Sequence, residues 1–209
     1  MRMRCLNGAD IEVNVDAVIL AGGQSRRMGV PNKALVSLAG KPLVNHVADR
    51  LASQVDLLCL SGNKETLTNL GYPVIEDRGA KFSGPLAGLY STLLYPKLTN
   101  ADYLLLAPCD GPFIPENLVK ELYEAVVQFD ADVAVVRYEG FIQATFSLWN
   151  KRVLDAVRQA LLVDQLGGFK PLLKRLKSEY LDWPKQDINP FFNINTEQDL
   201  SYAKSLLCP

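Results

Sequence analysis

Short apolar runs that stop at glycine or proline and give way to longer amphipathic runs recur along this 209-residue chain, and they leave few fold classes open. Residues 17–20, 55–60, 72–75 and 103–107 read as strands, and residues 42–52, 64–70, 86–94 and 116–129 read as helices. In 42–52 the apolar residues Leu43, Val44, Val47 and Leu51 share one face. Further on, 132–136 and 144–149 read as strands, and 151–162, 171–177 and 196–207 as helices. Pro115 suits the first turn of the helix over 116–129, and Thr196 suits the cap of the last one. Such alternation predicts an α/β fold, a single-domain Rossmann-like three-layer αβα sandwich with a mainly parallel sheet. Ligands in these sheets bind beyond the carboxyl ends of strands, so the turns after Leu20 and Ala107 carry the first candidate residues.

Both turns are rich in chemistry. The first run ends in Leu20-Ala21-Gly22-Gly23, and Gln24-Ser25-Arg26-Arg27-Met28-Gly29 and Pro31-Asn32-Lys33 follow. From residue 17 to 48 the chain has Arg26, Arg27, Lys33 and Lys41 and no acid, although the whole chain carries 22 basic and 23 acidic residues. Glycine amides that approach closely, with unpaired cations, suit a nucleotide polyphosphate. The Walker pattern and the G-x-G-x-x-G pattern are both absent. The glycine pair by itself fits simple chain reversal equally well. The second turn is Pro108-Cys109-Asp110-Gly111-Pro112, which sets a carboxylate at the sheet edge. A hard cation such as Mg²⁺ takes one or two carboxylates plus phosphate oxygens. The plainer reading is an Asp that closes a turn.

Composition bounds the partners. A net charge of −1 argues against a dedicated nucleic-acid binder, and no apolar run reaches the length of a membrane span. Residues 1–15 read as a short N-terminal extension without the apolar stretch of a secretory signal. The four cysteines at 5, 59, 109 and 208 form no C-x-x-C pair, which fits a reducing cytoplasm. Cys59 and Cys109 read as packing residues, and His46 as a structural histidine on a helix. Trp149 and Trp183 read as packing residues too. Lys170, Lys174, Arg175 and Lys177 read as the solvated face of a helix whose leucines pack inward, with attraction of an anionic acceptor as the alternative.

The order Leu-Ala-Gly-Gly-x-Ser-x-Arg-Met-Gly, then Asn-Lys-Ala-Leu from Asn32, then Leu-Ala-Gly-Lys-Pro-Leu up to Leu43, resembles the nucleotidyltransferases that activate small molecules with an NTP. Within them it is most similar to the MobA-type molybdenum cofactor guanylyltransferases. The resemblance spans nearly the whole chain. It implies transfer of GMP from GTP to the terminal phosphate of molybdopterin, with Mg²⁺ as cofactor. It implies a mainly nucleotide-binding half over 17–110 and a mainly acceptor-binding half over 111–209. Delivery proteins and molybdoenzymes are the partners it implies.

Carried over residue by residue, the resemblance assigns Leu20, Ala21, Gly22 and Gly23 to the nucleotide, Lys33 to the phosphates with help from Arg26, and Asp110 to Mg²⁺. Asn32 stands where the family usually has Asp, a mild change because Asn also hydrogen-bonds locally. Asp77 matches a nucleoside-contacting Asp, and Ser61 or Asn63 matches a nucleotide-contacting loop position. Phe82-Ser83-Gly84-Pro85-Leu86-Ala87-Gly88 resembles a loop near the nucleotide, or is simply a turn with a helix start. Asn193 and Asn195 match the segment associated with molybdopterin, and two alternating side chains on an extended segment face one side. Asx turns before a capped helix are the alternative there. Gly140-Phe141-Ile142-Gln143-Ala144 departs from the family, which commonly has Pro after this position. A cytidylyl- or sugar-phosphate nucleotidyltransferase and a catalytically silent GTP-binding module are the competing readings.

Overall fold

Alternate side chains of a single strand feed two separate core layers, and this sets the architecture. In a computed structural model that describes residues 2–4, 10–22, 32–76, 84–98 and 101–207, strand β3 (Val15–Leu20) sends Ala17 and Ile19 to one face and Val18 to the other. Strands buried on both faces have no polar side, which is why this run is apolar throughout its centre.

The elements follow the expected alternation. Ahead of β3, β1 (Arg2–Arg4) and β2 (Asp10–Glu12) pair antiparallel, with Arg2 opposite Glu12. The N-terminal extension therefore contains a small ladder, too short for a pattern in the sequence to reveal. A hairpin of β4 (Ser37–Leu38) and β5 (Lys41–Pro42) turns through Ala39 and Gly40, both at positive φ, and leads into α1 (Leu43–Leu51). Then come β6 (Leu57–Ser61), α2 (Lys64–Leu67), β7 (Val74–Ile75), α3 (Pro85–Leu93) and β8 (Tyr103–Pro108). The second half holds α4 (Leu118–Gln128), β9 (Val133–Tyr138), β10 (Phe141–Asn150), α5 (Leu154–Arg158), α6 (Phe169–Leu173), β11 (Ser178–Trp183) and α7 (Glu197–Leu207).

The seven-stranded sheet has the order β11-β9-β10-β8-β3-β6-β7. Within it β10 runs antiparallel to both β8 and β9, and the other pairings are parallel. Helices α1 and α4 cover one face through Val44, Val47, Leu118 and Leu122. Helices α3 and α5 cover the other through Leu86, Leu89 and Val157. A third cluster of Leu38, Leu43, Phe113, Ile194 and Ala203 fastens α7 to the β4–β5 hairpin.

Four expectations need correction. Helix α4 begins at Leu118, not 116, so Pro115 stands before it; the buried Gln54 side chain accepts from Val119 N at 3.0 Å and donates to Pro115 O at 2.9 Å, capping from a distance. The helix expected over 151–162 breaks into a 3₁₀ turn (Lys151–Val153), α5 and a π-helical turn (Gln159–Val163). Asn150 accepts from Arg152 N there and fixes the tight first turn. The helix expected over 171–177 is α6, shifted to Phe169–Leu173. Strand β11 was not expected, because Ser178-Glu179-Tyr180-Leu181-Asp182-Trp183 is polar enough for an edge and has no apolar run. By contrast, α7 carries its expected cap: Asp199 N donates to Thr196 Oγ1 at 3.1 Å.

Candidate functional site

The carboxyl ends of β3, β6 and β8 are tied to one another by backbone. Ala21 N donates to Ser61 O at 2.7 Å, and Cys109 N to Leu20 O at 3.2 Å. The next residue of the β6 turn is Gly62, and a Cβ there would lie 2.8 Å from Leu67 Cδ1 and 3.1 Å from Gly22 N. Only glycine fits, so the β3 turn can press against the β6 turn. Above these ends opens a cleft of about 290 Å³. Leu20, Gly22 and Ser61 form its floor on one side, and Gly84, Pro85 and Gly88 bring the start of α3 to its wall. Pro108, Cys109, Asp110, Lys33 and Thr145 complete the lining.

Lys33 opens a 3₁₀ turn whose cap is Asn32, with Asn32 Oδ1 accepting from Ala34 N at 2.9 Å. The local hydrogen bond expected of Asn32 is thus present. Lys33 Nζ donates to the Asp110 carboxylate and, at 2.7 Å, to Asn195 Oδ1. The two charged side chains are 13% and 14% exposed, which leaves both within reach of a ligand in the cleft. Asn195 comes from the far end of the chain. Its position is held by Asp199 Oδ2, which accepts from Asn195 N and Thr196 N at 2.8 Å each. Burial alone would raise the Asp199 carboxyl; the Asn195 and Thr196 donors and the Lys33 charge bring it below its ordinary value. Ile194 N donates to Asp110 O at 2.9 Å, so the C-terminal segment is fastened to the β8 turn.

The structure thus brings Leu20, Gly22, Ser61, Lys33 and Asp110 to one cleft, with Asn195 hydrogen-bonded to its lysine. Ala21 lies buried behind the floor. Asn63 caps α2 through Thr66 N and is not in the lining. Asn193 lies against the turn after Asp110: its Oδ1 is buried with no hydrogen-bond partner among the described residues and lies 3.3 Å from where a Gly111 Cβ would stand, and its carbonyl accepts from Asn195 Nδ2 at 3.3 Å. The segment forms no regular strand, and Ile194 between the two asparagines is buried. Gly23, Arg26, Arg27, Asp77 and Phe82 lie outside the described residues, as do Cys5 and Cys208. Thr145 carries no signal in the sequence, and the close packing that demands glycine at 62, two residues past the expected strand 55–60, shows only in the structure.

Cys109 borders the cleft but is buried, and burial beside Asp110 pushes its thiol up to about 12, so it stays protonated. Cys59 is a core thiol, pushed up to about 11 by burial first and Asp16 second. The His46 ring nitrogen meets Leu38 O at 2.8 Å, a structural contact. Lys170, Lys174, Arg175 and Lys177 are exposed, and Arg175 pairs with Asp164. Among the described residues no group of three or more His, Cys, Asp or Glu could hold a metal, and Asp110 is the one carboxylate in the cleft lining. A cleft with glycine-rich walls, one cation and one carboxylate suits a ligand that brings phosphate oxygens of its own.

The MobA-like NTP transferase domain family matches residues 17–180. The chain belongs to this family. A molybdenum cofactor guanylyltransferase of Rhodopseudomonas palustris (strain BisB5) is 38% identical over 194 residues, covering 91% of this chain and 92% of that protein. One of Shewanella putrefaciens is 37% identical, covering 90% and 94%. The fold matches that of the molybdopterin-guanine dinucleotide biosynthesis protein A from Archaeoglobus fulgidus, with a TM-score of 0.77, 22% identity and coverage of 92% and 98%. It also matches a CMP:2-keto-3-deoxy-manno-octonic acid synthetase, with a TM-score of 0.70, 15% identity and coverage of 93% and 98%. MobA-like chains are thus nucleotidyltransferases built on one αβα sandwich. Among the described residues no helix is long and apolar enough to cross a membrane.

Proposed function

We propose that this chain transfers GMP from GTP to the terminal phosphate of molybdopterin, forming the guanine dinucleotide and releasing pyrophosphate. The observation that carries the proposal is the meeting of Lys33, Asp110 and Asn195 at the edge of the glycine-walled cleft. The guanylyltransferase relatives, each matched over about nine-tenths of its length, supply the donor and acceptor.

A bond forms between an acceptor phosphate oxygen and the α-phosphorus of GTP, and the bond from that phosphorus to the bridging oxygen of pyrophosphate breaks. The nucleophile is already anionic, so no strong base is needed. The protonated Cys109 and the remote His46 agree with this economy. Catalysis then rests on positioning and charge neutralisation. The Leu20–Gly22 backbone and Ser61 flank the nucleotide, and Lys33 holds the phosphates. Asn195 orients Lys33 from the acceptor half, residues 111–209. Asp110 suits Mg²⁺, because a single hard carboxylate is enough when the other ligands are phosphate oxygens and water. Bound there, Mg²⁺ neutralises charge on the polyphosphate. Lys33 Nζ donates to the Asp110 carboxylate, so the cation that would face the phosphates and the carboxylate that would hold the metal stand side by side at one edge of the cleft.

The test is donor choice. The protein is given Mg²⁺, molybdopterin and equal amounts of GTP and CTP, and the dinucleotide is analysed. Guanine dinucleotide alone is the expected product. Cytosine dinucleotide would move the chain to cytidylyl transfer, and GTP binding without product would mark a silent binding module.

A further inference from the structure

The sheet order sets out the cleft as a row: Ser61 on β6, Leu20 on β3, Asp110 after β8, and Thr145 on β10. If the nucleotide occupies the β3 and β6 side, as in the reaction above, then β10 borders the remaining side, where the acceptor must enter. We propose that the Thr145 hydroxyl is the acceptor-side contact, donating a hydrogen bond to the attacking phosphate. This rests on the guanylyl-transfer reading.

Thr145 reaches the cleft through a bulge. Gln143 faces Val136 and Ser147 faces Val135, so Ala144, Thr145 and Phe146 are extra residues between adjacent positions of β9. Bulges of this kind bend a strand and re-aim its side chains, and they gather beside active sites. This one is fixed on both flanks. Ser147 Oγ donates to Ala144 O at 2.9 Å and accepts from the buried Trp149 Nε1 at 2.8 Å. Phe146 turns to the opposite face, against Phe191 with ring centroids 5.0 Å apart, and under Gly111, where a Cβ would stand 2.6 Å from its ring. The same Gly111 follows Asp110, so the bulge and the carboxylate are seated on one contact. Thr145 is left lining the cleft, and its hydroxyl has no hydrogen-bond partner among the described residues. A neutral donor suits this place. It orients a phosphate oxygen without the charge that would blunt its attack, while Lys33 serves the phosphates of the donor.

Thr145→Val keeps the shape and removes the hydroxyl, and Thr145→Ser keeps the hydroxyl. A hydrogen bond to a charged group is large enough to predict about a tenfold rise in the molybdopterin KM for Thr145→Val. GTP affinity stays unchanged, and Thr145→Ser stays within about twofold of wild type. Titration of molybdopterin into the GTP-free protein should show the same tenfold weakening. An active Thr145→Val enzyme with unchanged molybdopterin KM and affinity overturns the proposal alone. So does equal impairment of both substrates by both variants with lowered Tm, which marks packing. A wild-type protein that makes no dinucleotide overturns the guanylyl-transfer reading and this proposal with it.

Discussion

Opposite ends of the same parallel strands treat a carboxylate in opposite ways. At the carboxyl edge, Asp110 sits just past β8, receives Lys33 Nζ directly and borders an open cleft. At the amino edge, Asp16 lies within β3 itself and is only 5% exposed. It accepts the Leu57 N–H, yet burial and, less strongly, the nearby Asp56 push its carboxyl up to about 6 against the pull of Lys151. Burial also depresses Lys151, with Asp16 and Asp102 opposing. A charge inside a strand is solvated by little, so the fold bears the cost. A charge on the turn beyond the strand keeps direct partners and remains available to a ligand. The proposed ligand chemistry therefore sits at one edge of this sheet, while Asp16 at the other carries a stability cost.

Lys33→Ala should sharpen this contrast most. With the cation beside Asp110 gone, the rate of dinucleotide formation is expected to fall by roughly 10²- to 10³-fold with an unchanged circular dichroism spectrum. Asn195→Ala, which frees Lys33 without removing its charge, is expected to lower kcat/KM about tenfold. Gly111→Ala forces a Cβ into the Phe146 ring and should lower stability by about 1–3 kcal/mol, read as a drop in Tm, with a several-fold loss of rate as Asp110 shifts. Asp16→Asn should leave the rate alone. Its effect is on pH. The folded state holds the Asp16 proton more tightly than the unfolded chain, whose ordinary value is 3.8, so stability falls as pH rises from about 4 to about 6 and the cost is full above that. The variant should be more stable than wild type at pH 7.5 by on the order of 2 kcal/mol, with the gap closing near pH 4. A rate loss in Asp16→Asn comparable to that of Lys33→Ala would break the comparison.

Much of the carboxyl edge was legible in the sequence, because its signals are local. An apolar run followed by Gly22 and another followed by Asp110 each name a strand end, and parallel topology makes such ends meet. Asn195 was placed by its motif, but its bond to Lys33 was not, since that contact joins residues 162 positions apart. Thr145 was invisible for a different reason. The bulge that aims it depends on Ser147, Trp149 and the gap left by Gly111, which no periodicity encodes. The amino edge gave even less warning. Asp16 simply precedes an apolar run, and its burial follows from β3 being central in the sheet. Strand β11 was missed because edge strands need no apolar pattern, and the division of residues 151–162 because capping by Asn150 and a π-helical turn override helical periodicity.

The most direct test follows the transferred group. Wild type and Asp110→Ala are each incubated with Mg²⁺, molybdopterin and GTP labelled at the α-phosphate, and label in the dinucleotide is measured against pyrophosphate released. Wild type should place the label in the dinucleotide one for one with pyrophosphate, and Asp110→Ala should be slower by about 10³-fold or more while remaining folded. Transfer by Asp110→Ala at the wild-type rate would contradict the assignment of the chemistry to this edge of the sheet.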